Sequence, residues 1–189
     1  MKLYFNPKSR ATIAKWMLDE CGATYETVLI DLEKREQKTP AFLAINPAGK
    51  LPALLDGKQR LFETPAICLY LAEKFPQANL APPPGAPGRG RFLSLMMYST
   101  AQLEPAMGDS LMKLPTPRER GWDDFETVKN VIEQELGHGP YLLGEQFTAA
   151  DIMVGSMFIW QRLWGVHTGR PRLEAYVDRL LARPAAMAL

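Results

Sequence analysis

The sequence predicts a small α/β module followed by an all-α bundle, on three observations. Over the first 75 residues, strand-like and helix-like periods alternate in the order βαβαββα. From Pro76 to Gly90, five prolines and three glycines in fifteen residues exclude regular helix or strand. Beyond Gly90 only helical spacing recurs. The 189 residues therefore divide into an α/β domain over 1–75, a Pro/Gly-rich linker over 76–90 and an all-helical domain over 91–189.

Lys2 to Phe5 is a short strand candidate, and Ile13, Trp16, Met17 and Cys21 recur at helical spacing up to Gly22, a residue suited to a helix C-terminus. Tyr25 to Leu32 reads as a second strand. Thr39-Pro40 has the form of an N-cap followed by proline at the first helical position, and Asn46-Pro47 closes the short helix it opens. Leu51 to Leu55 and Gln59 to Phe62 are strands flanking Asp56-Gly57-Lys58, a hairpin signal. Thr64-Pro65 repeats the cap-plus-proline pattern before a helix with Ile67, Tyr70, Leu71 and Phe75 on its apolar face. A strand-helix-strand crossover demands a parallel pair and a hairpin an antiparallel one, so the sheet is expected to be mixed.

In the second half, Arg91 to Leu114, Trp122 to Leu136, Thr148 to Trp164 and Pro171 to Leu181 carry helical periodicity, as in a bundle. Thr148-Ala149-Ala150-Asp151 is a capping-box variant, with Phe147 and Ile152 placed as a hydrophobic staple. This motif concerns folding.

Lys plus Arg number 22 against 21 Asp plus Glu, a net charge of +1, which argues against a dedicated nucleic-acid binder. Two distant cysteines, Cys21 and Cys68, speak against a disulfide framework and for a reducing compartment. No apolar run nears the ~18 residues of a membrane span, and the N-terminus lacks a signal-peptide pattern. A cytoplasmic protein without membrane association is expected. His138 and His167 lack ligand spacing, so no metal site is expected.

The segments NPKSRATIAKWML, KLPALL, FETPAICLYL and FTAADI, in this order across an α/β module and a helical bundle, resemble the cytosolic glutathione S-transferase family. The N-terminal segment is similar to that of its serine-type bacterial and plant branches. The resemblance implies a thioredoxin-like N-terminal domain, glutathione as co-substrate without a metal, and a homodimer. It also implies an activity: the glutathione thiol is activated for attack on a small hydrophobic electrophile. The alternative is a non-catalytic protein of the same fold that serves as a protein-interaction module.

On this resemblance Ser9, between a strand and the first turn of a helix, is the candidate catalytic residue. A hydroxyl donor together with a helix N-terminus favours a thiolate, and a free thiol's pKa of ~8.5 need fall by only ~2 units. Ser9 also suits a plain helix cap. Tyr4 and Asn6 are its rivals, because other branches use a tyrosine at the end of the first strand or a polar residue a few positions earlier. Arg10 opposes the helix dipole and suits an ion pair or a ligand contact.

Leu51-Pro52 is expected to be cis in the family, exposing Leu51 backbone groups to the cysteinyl unit as an added strand. Glu63 and Thr64 are the candidates for the glutamyl end: the carboxylate for the ammonium, the cap for the carboxylate. Lys38 and Lys50 either hold the glycyl carboxylate or are simply solvated. Tyr98, Gln102 and Trp164 are the candidates for an electrophile pocket, while Cys21 and Cys68 read as small buried hydrophobes rather than substitutes for Ser9.

Overall fold

The structure is a computed structural model describing residues 1–186, so the last three residues of the 91–189 helical reading lie outside the described residues. The chain forms two compact units, Met1–Asn79 and Leu80–Pro184.

The first unit runs β1 (Lys2–Phe5), α1 (Ala11–Glu20), β2 (Glu26–Leu29), a 3₁₀ turn (Glu36–Lys38), α2 (Pro40–Leu43), β3 (Ala53–Asp56), β4 (Gln59–Phe62) and α3 (Thr64–Lys74). The sheet order is β2-β1-β3-β4. β1 pairs in parallel with β2, Lys2 opposite Glu26, and antiparallel with β3, Tyr4 opposite Ala53, while β3 pairs antiparallel with β4, Ala53 opposite Phe62. This is the mixed, thioredoxin-like sheet expected. The second strand is shorter than Tyr25 to Leu32, because the chain leaves the sheet after one further ladder bond, from the Ile30 amide to the Phe5 carbonyl.

Alternation along β1 sends successive side chains to opposite faces. Leu3 and its partner Leu54 are fully buried, together with Ile13, Trp16 and Met17 of α1 and Ile67 and Leu71 of α3. Tyr4 instead meets Phe42 of α2 edge-on, ring centroids 5.7 Å apart. Thr39 caps α2 as its sequence predicts, its hydroxyl accepting from the Phe42 amide. The parallel expectation at Thr64 is off by one residue. Glu63 holds the cap position at φ 68°, Thr64 is the first helical residue and Pro65 the second.

The Pro76–Gly90 stretch is not uniformly irregular. Pro76–Ala78 forms a 3₁₀ turn and α4 (Arg89–Tyr98) begins inside it. Leu80 belongs to the helical unit, buried, with its carbonyl accepting from the Ala149 amide at 2.8 Å. The expected helix from Arg91 to Leu114 is three pieces: α4, a π turn over Ser99–Leu103, and α5 (Glu104–Leu111). Pro105 explains the break. It has no amide for the Ala101 carbonyl and its ring crowds that group, which a wider π turn relieves. α6 (Phe125–Leu136) starts later than Trp122, where the Asp124 side chain accepts from the Thr127 amide.

α7 (Ala149–Leu163) is the centre of this unit, buried from Ala149 to Ile159, and α8 (Pro171–Leu181) packs on it. At Gly155 a Cβ would lie 2.1 Å from Leu180 Cδ1, so a larger residue there would have to displace the buried Leu180 side chain of α8. The capping box at Thr148 forms. The buried Asp151 carboxylate accepts from the Thr148 amide (2.8 Å), the Thr148 hydroxyl (3.1 Å), the Leu142 amide (2.8 Å) and the Tyr176 hydroxyl (3.0 Å). Burial pushes this carboxyl up despite the four donors.

Asp151→Ala strands several buried donors at once, each costing about 1 to 3 kcal/mol, so the helical unit should lose about 4 kcal/mol in urea unfolding. Tyr176→Phe removes one donor and should cost about 1 kcal/mol. Equal losses in the two variants would show that the carboxylate is not the hub.

Candidate functional site

The mixed sheet decides which loops meet. β1, β2 and β4 end where β3 begins, because β1 runs with β2 and against β3, and β4 runs against β3. The segments after Phe5, after Leu29, before Ala53 and after Phe62 therefore leave the sheet at one end. They carry Asn6 to Arg10, the Glu36–Lys38 turn, Lys50 to Pro52, and Glu63 with Thr64.

Ser9 opens the first turn of α1. Its Oγ donates to the Asn6 carbonyl at 2.7 Å and accepts from the Ala11 amide at 3.2 Å, while its carbonyl accepts from the Thr12 amide and hydroxyl. Arg10 holds the N-cap position of α1 without a side-chain cap bond, so Ser9 lies one residue before the cap while its hydroxyl takes the amide of the first helical residue, Ala11. The hydroxyl is also polarised, since an amide of the helix N-terminus feeds it from behind.

The rivals are engaged elsewhere. Asn6 spends its side chain on structure: Nδ2 donates to the Ile30 carbonyl at 2.8 Å and Oδ1 accepts from the Lys8 amide at 2.8 Å, tying the end of β1 to the end of β2. Tyr4 packs with Phe42 against the cluster of Ala11, Ile30, Leu51 and Ala53.

Ser9, Lys38, Lys50 and Leu51 come together on one cleft of about 280 Å³, with Lys8, Arg10, Leu32, Gln37 and Gly49. Four of the lining residues are cations and none is acidic. Lys38 Nζ is steadied by the Ala48 carbonyl at 3.1 Å. Buried Asn46 fixes the following turn, its Nδ2 donating to the Lys50 carbonyl at 2.8 Å and its Oδ1 accepting from the Ala48 amide at 3.0 Å. Gly49 sits at φ 59°, where a Cβ would lie 2.6 Å from Lys38 Nζ and 2.9 Å from the Gln37 carbonyl oxygen. The cleft wall closes only because that residue has no side chain.

The Leu51-Pro52 bond is cis, and Leu51 and Pro52 are buried. Glu63 and Thr64 lie at the same end of the sheet, across β3–β4 from Leu51 and Pro52, but do not line the cationic cleft. Glu63 is exposed and Thr64 is 4% exposed. A non-glycine residue at φ 68° stores about 1 to 3 kcal/mol of strain, a cost often found at ligand sites.

The electrophile candidates belong to the helical unit. Gln102, on the π turn, donates to the Gly121 carbonyl at 2.6 Å and lines an open cleft of about 520 Å³ with residues of the 116–123 loop. Tyr98 is half-buried, with burial and the Asp123 carboxylate both raising its hydroxyl. Trp164 is 55% exposed and stacks on Trp160 at 6.5 Å.

Sequence reasoning missed Gln37, Lys8 and Gly49 and left Arg10 between two roles; the structure sets all four on the cleft wall. Gln37 and Lys8 stand in polar runs with no period, so nothing in the sequence singles them out. Among the described residues no group of three or more His, Cys, Asp and Glu side chains could hold a metal ion. None of the described helices is long and apolar enough to cross a membrane.

Comparison with known proteins decides the family. The model of the glutathione S-transferase N-terminal domain matches residues 1–73 and that of the C-terminal domain residues 115–179. A probable glutathione S-transferase, GSTF2 of Oryza sativa subsp. japonica, is 30% identical over 203 residues, covering 98% of this chain and 94% of its own. The chain belongs to the glutathione S-transferase family. A sphingomonad glutathione S-transferase solved in complex with glutathione is 34% identical with a TM-score of 0.78, covering 98% of this chain and 95% of its own. BphK, a bacterial transferase solved as a ternary complex, has a TM-score of 0.82 at 28% identity, covering 98% and 96%.

Neither free thiol lies on the cleft of this transferase. Both are buried between or beside α1 and α3, with desolvation pushing Cys21 up to about 12 and Cys68 higher still. A thiol reagent at pH 8 should therefore titrate neither cysteine in the native protein and both after denaturation. A fast native thiol would contradict this placement.

Proposed function

We propose that the protein binds glutathione at the shared end of the sheet and activates its thiol through Ser9, for transfer to a small hydrophobic electrophile. One observation carries the reading. A helix-polarised hydroxyl stands in a cleft whose charged side chains are all cationic. Such a cleft favours an anion, and both the thiolate and the terminal carboxylate of glutathione are anions.

The Ser9 proton points to the Asn6 carbonyl at 2.7 Å. A thiolate arriving in the cleft is the stronger acceptor, and a turn of the hydroxyl redirects the proton to sulfur without deprotonating Ser9. The Ala11 amide keeps feeding Oγ throughout. Arg10 and Lys8 add positive potential, and the two effects together supply the ~2 units, about 2.7 kcal/mol, that thiolate dominance near neutrality requires.

The cysteinyl amide and carbonyl pair with the Leu51 backbone as an added strand. Glu63 takes the glutamyl ammonium, and the first-turn amides of α3 with Thr64 take its carboxylate. Lys38 and Lys50 take the glycyl carboxylate. Tyr98, Gln102 and Trp164 remain the electrophile candidates of the helical unit. The same reading makes the protein a cytoplasmic, serine-type homodimer. The interaction-module alternative has no feature of the cleft in its favour.

Ser9→Ala should leave glutathione affinity within a fewfold while raising the apparent pKa of the bound thiol, followed as thiolate absorbance against pH. A hydrogen bond to a charged group is worth about 1.5 to 3 kcal/mol, so turnover of an activated aryl halide near neutral pH should fall about ten- to a hundredfold. The deficit should shrink as pH passes ~8.5, where the free thiol ionises unaided. If Tyr4→Phe moves the thiol pKa and Ser9→Ala does not, the role passes to Tyr4. Absence of any thiolate signal in wild type sinks the catalytic reading.

A further inference from the structure

The ladder between β1 and β2 loses its last rung to a proline. The Glu26 amide donates to the Met1 carbonyl and the Ile30 amide to the Phe5 carbonyl, so the alternation of this parallel pair puts the next donor at residue 7, opposite the Ile30 carbonyl. Residue 7 is Pro7, which has no amide to give. Asn6 supplies the missing donor from its side chain, Nδ2 reaching the Ile30 carbonyl at 2.8 Å. Ile30 is buried, and its carbonyl left alone would carry the cost of an unpaired acceptor.

The same residue grips Ser9. The Asn6 carbonyl accepts from Ser9 Oγ at 2.7 Å, and Asn6 Oδ1 accepts from the Lys8 amide at 2.8 Å. Pro7, Lys8 and Arg10 are exposed, so hydrogen bonds rather than buried side chains hold the turn between β1 and α1. We propose that Asn6 is a positioning residue for the thiol chemistry: by taking the rung that Pro7 vacates, its amide fixes the carbonyl that aims the Ser9 hydroxyl. The assignment rests on the Ser9 and glutathione reading above.

The chemistry requires this fixity. A hydroxyl that turns from the Asn6 carbonyl to an arriving sulfur delivers its proton in line only if Oγ itself stays in place, because hydrogen bonds weaken steeply away from alignment. The Ala11 amide reaches Oγ at 3.2 Å, at the long end of the normal range, and is the weaker of its two holds. The Asn6 carbonyl is the shorter one, and the amide bond to Ile30 anchors it to the sheet. In this role Asn6 touches no ligand group and acts on the thiolate through Ser9.

The test is a double-mutant cycle on wild type, Asn6→Ala, Ser9→Ala and the double variant, read as thiolate absorbance of bound glutathione against pH. Asn6→Ala should move ionisation of the bound thiol to higher pH and lower the thiolate present near neutrality about three- to tenfold, part of what a full hydrogen bond to a charged group supplies. The double variant should follow the curve of Ser9→Ala alone, because no hydroxyl remains to be positioned. The turnover deficit of Asn6→Ala should close above pH ~8.5, where the free thiol ionises unaided. A residue that serves the fold alone would lower the melting temperature and leave the ionisation curve where it was.

An Asn6→Ala protein with the wild-type ionisation curve overturns the positioning role and leaves the glutathione reading standing. So does a double variant in which the two shifts add, since Asn6 would then act on sulfur without Ser9. A Ser9→Ala curve identical to that of wild type overturns the Ser9 reading and this assignment with it. If Asn6→Ala does not fold, Asn6→Ser takes its place in the cycle with the same expected outcomes: its hydroxyl keeps an acceptor for the Lys8 amide but is too short to reach the Ile30 carbonyl.

Discussion

The direction of the neighbours of β1 is the constraint on which the rest depends. With β2 parallel on one side and β3 antiparallel on the other, three strand ends and one strand start share an edge of the sheet. Four short pieces of chain, far apart in sequence, are thereby brought to one place. Asn6 reinforces the arrangement locally, its amide bridging the exits of β1 and β2 through Ile30. The rigid part of the site is backbone and sheet, and the side chains that differ in charge are hung on it.

Electrostatics then divides the labour at that edge. The cleft around Ser9 is wholly cationic in its charged lining, whereas Glu63, the acidic candidate, stands across β3–β4 and outside it. A zwitterionic tripeptide with a carboxylate at each end and one ammonium fits such a split better than a purely anionic or purely cationic ligand. Small residues set the clearances. Gly49 leaves room for the Lys38 ammonium, and in the helical unit Gly155 leaves room for Leu180. Buried polar groups fix the orientation, Asn46 under the cleft and Asp151 in the bundle.

Much of the fold was legible because it depends on local rules. Thr39-Pro40 caps α2 as its chemistry demands, and Asp56-Gly57 turns the hairpin. The same rule slipped by one residue at Thr64, because Glu63 accepts a positive φ that its side chain disfavours and takes the cap position itself. Pro105 interrupts a helix whose apolar spacing runs on through it, and spacing alone does not register a missing amide. For the site, Ser9, Lys38, Lys50 and Leu51 were reached through motifs and share a cleft. Gln37 was not, since only the folded chain brings it to the cleft wall. The electrophile side was the least legible: Tyr98, Gln102 and Trp164 have apolar or polar faces that suit many roles, and Gln102 lines a cleft with residues of the 116–123 loop.

The central claim is that this sheet edge holds glutathione with its sulfur at Ser9 and its glycyl end at Lys38. A crystal structure of the protein with glutathione tests it most directly. The account predicts sulfur within hydrogen-bonding distance of Ser9 Oγ, the terminal carboxylate beside Lys38 and Lys50, and the ammonium beside Glu63. A tripeptide bound with its sulfur against Tyr4 or Asn6, or lodged away from the 280 Å³ cleft, would contradict it.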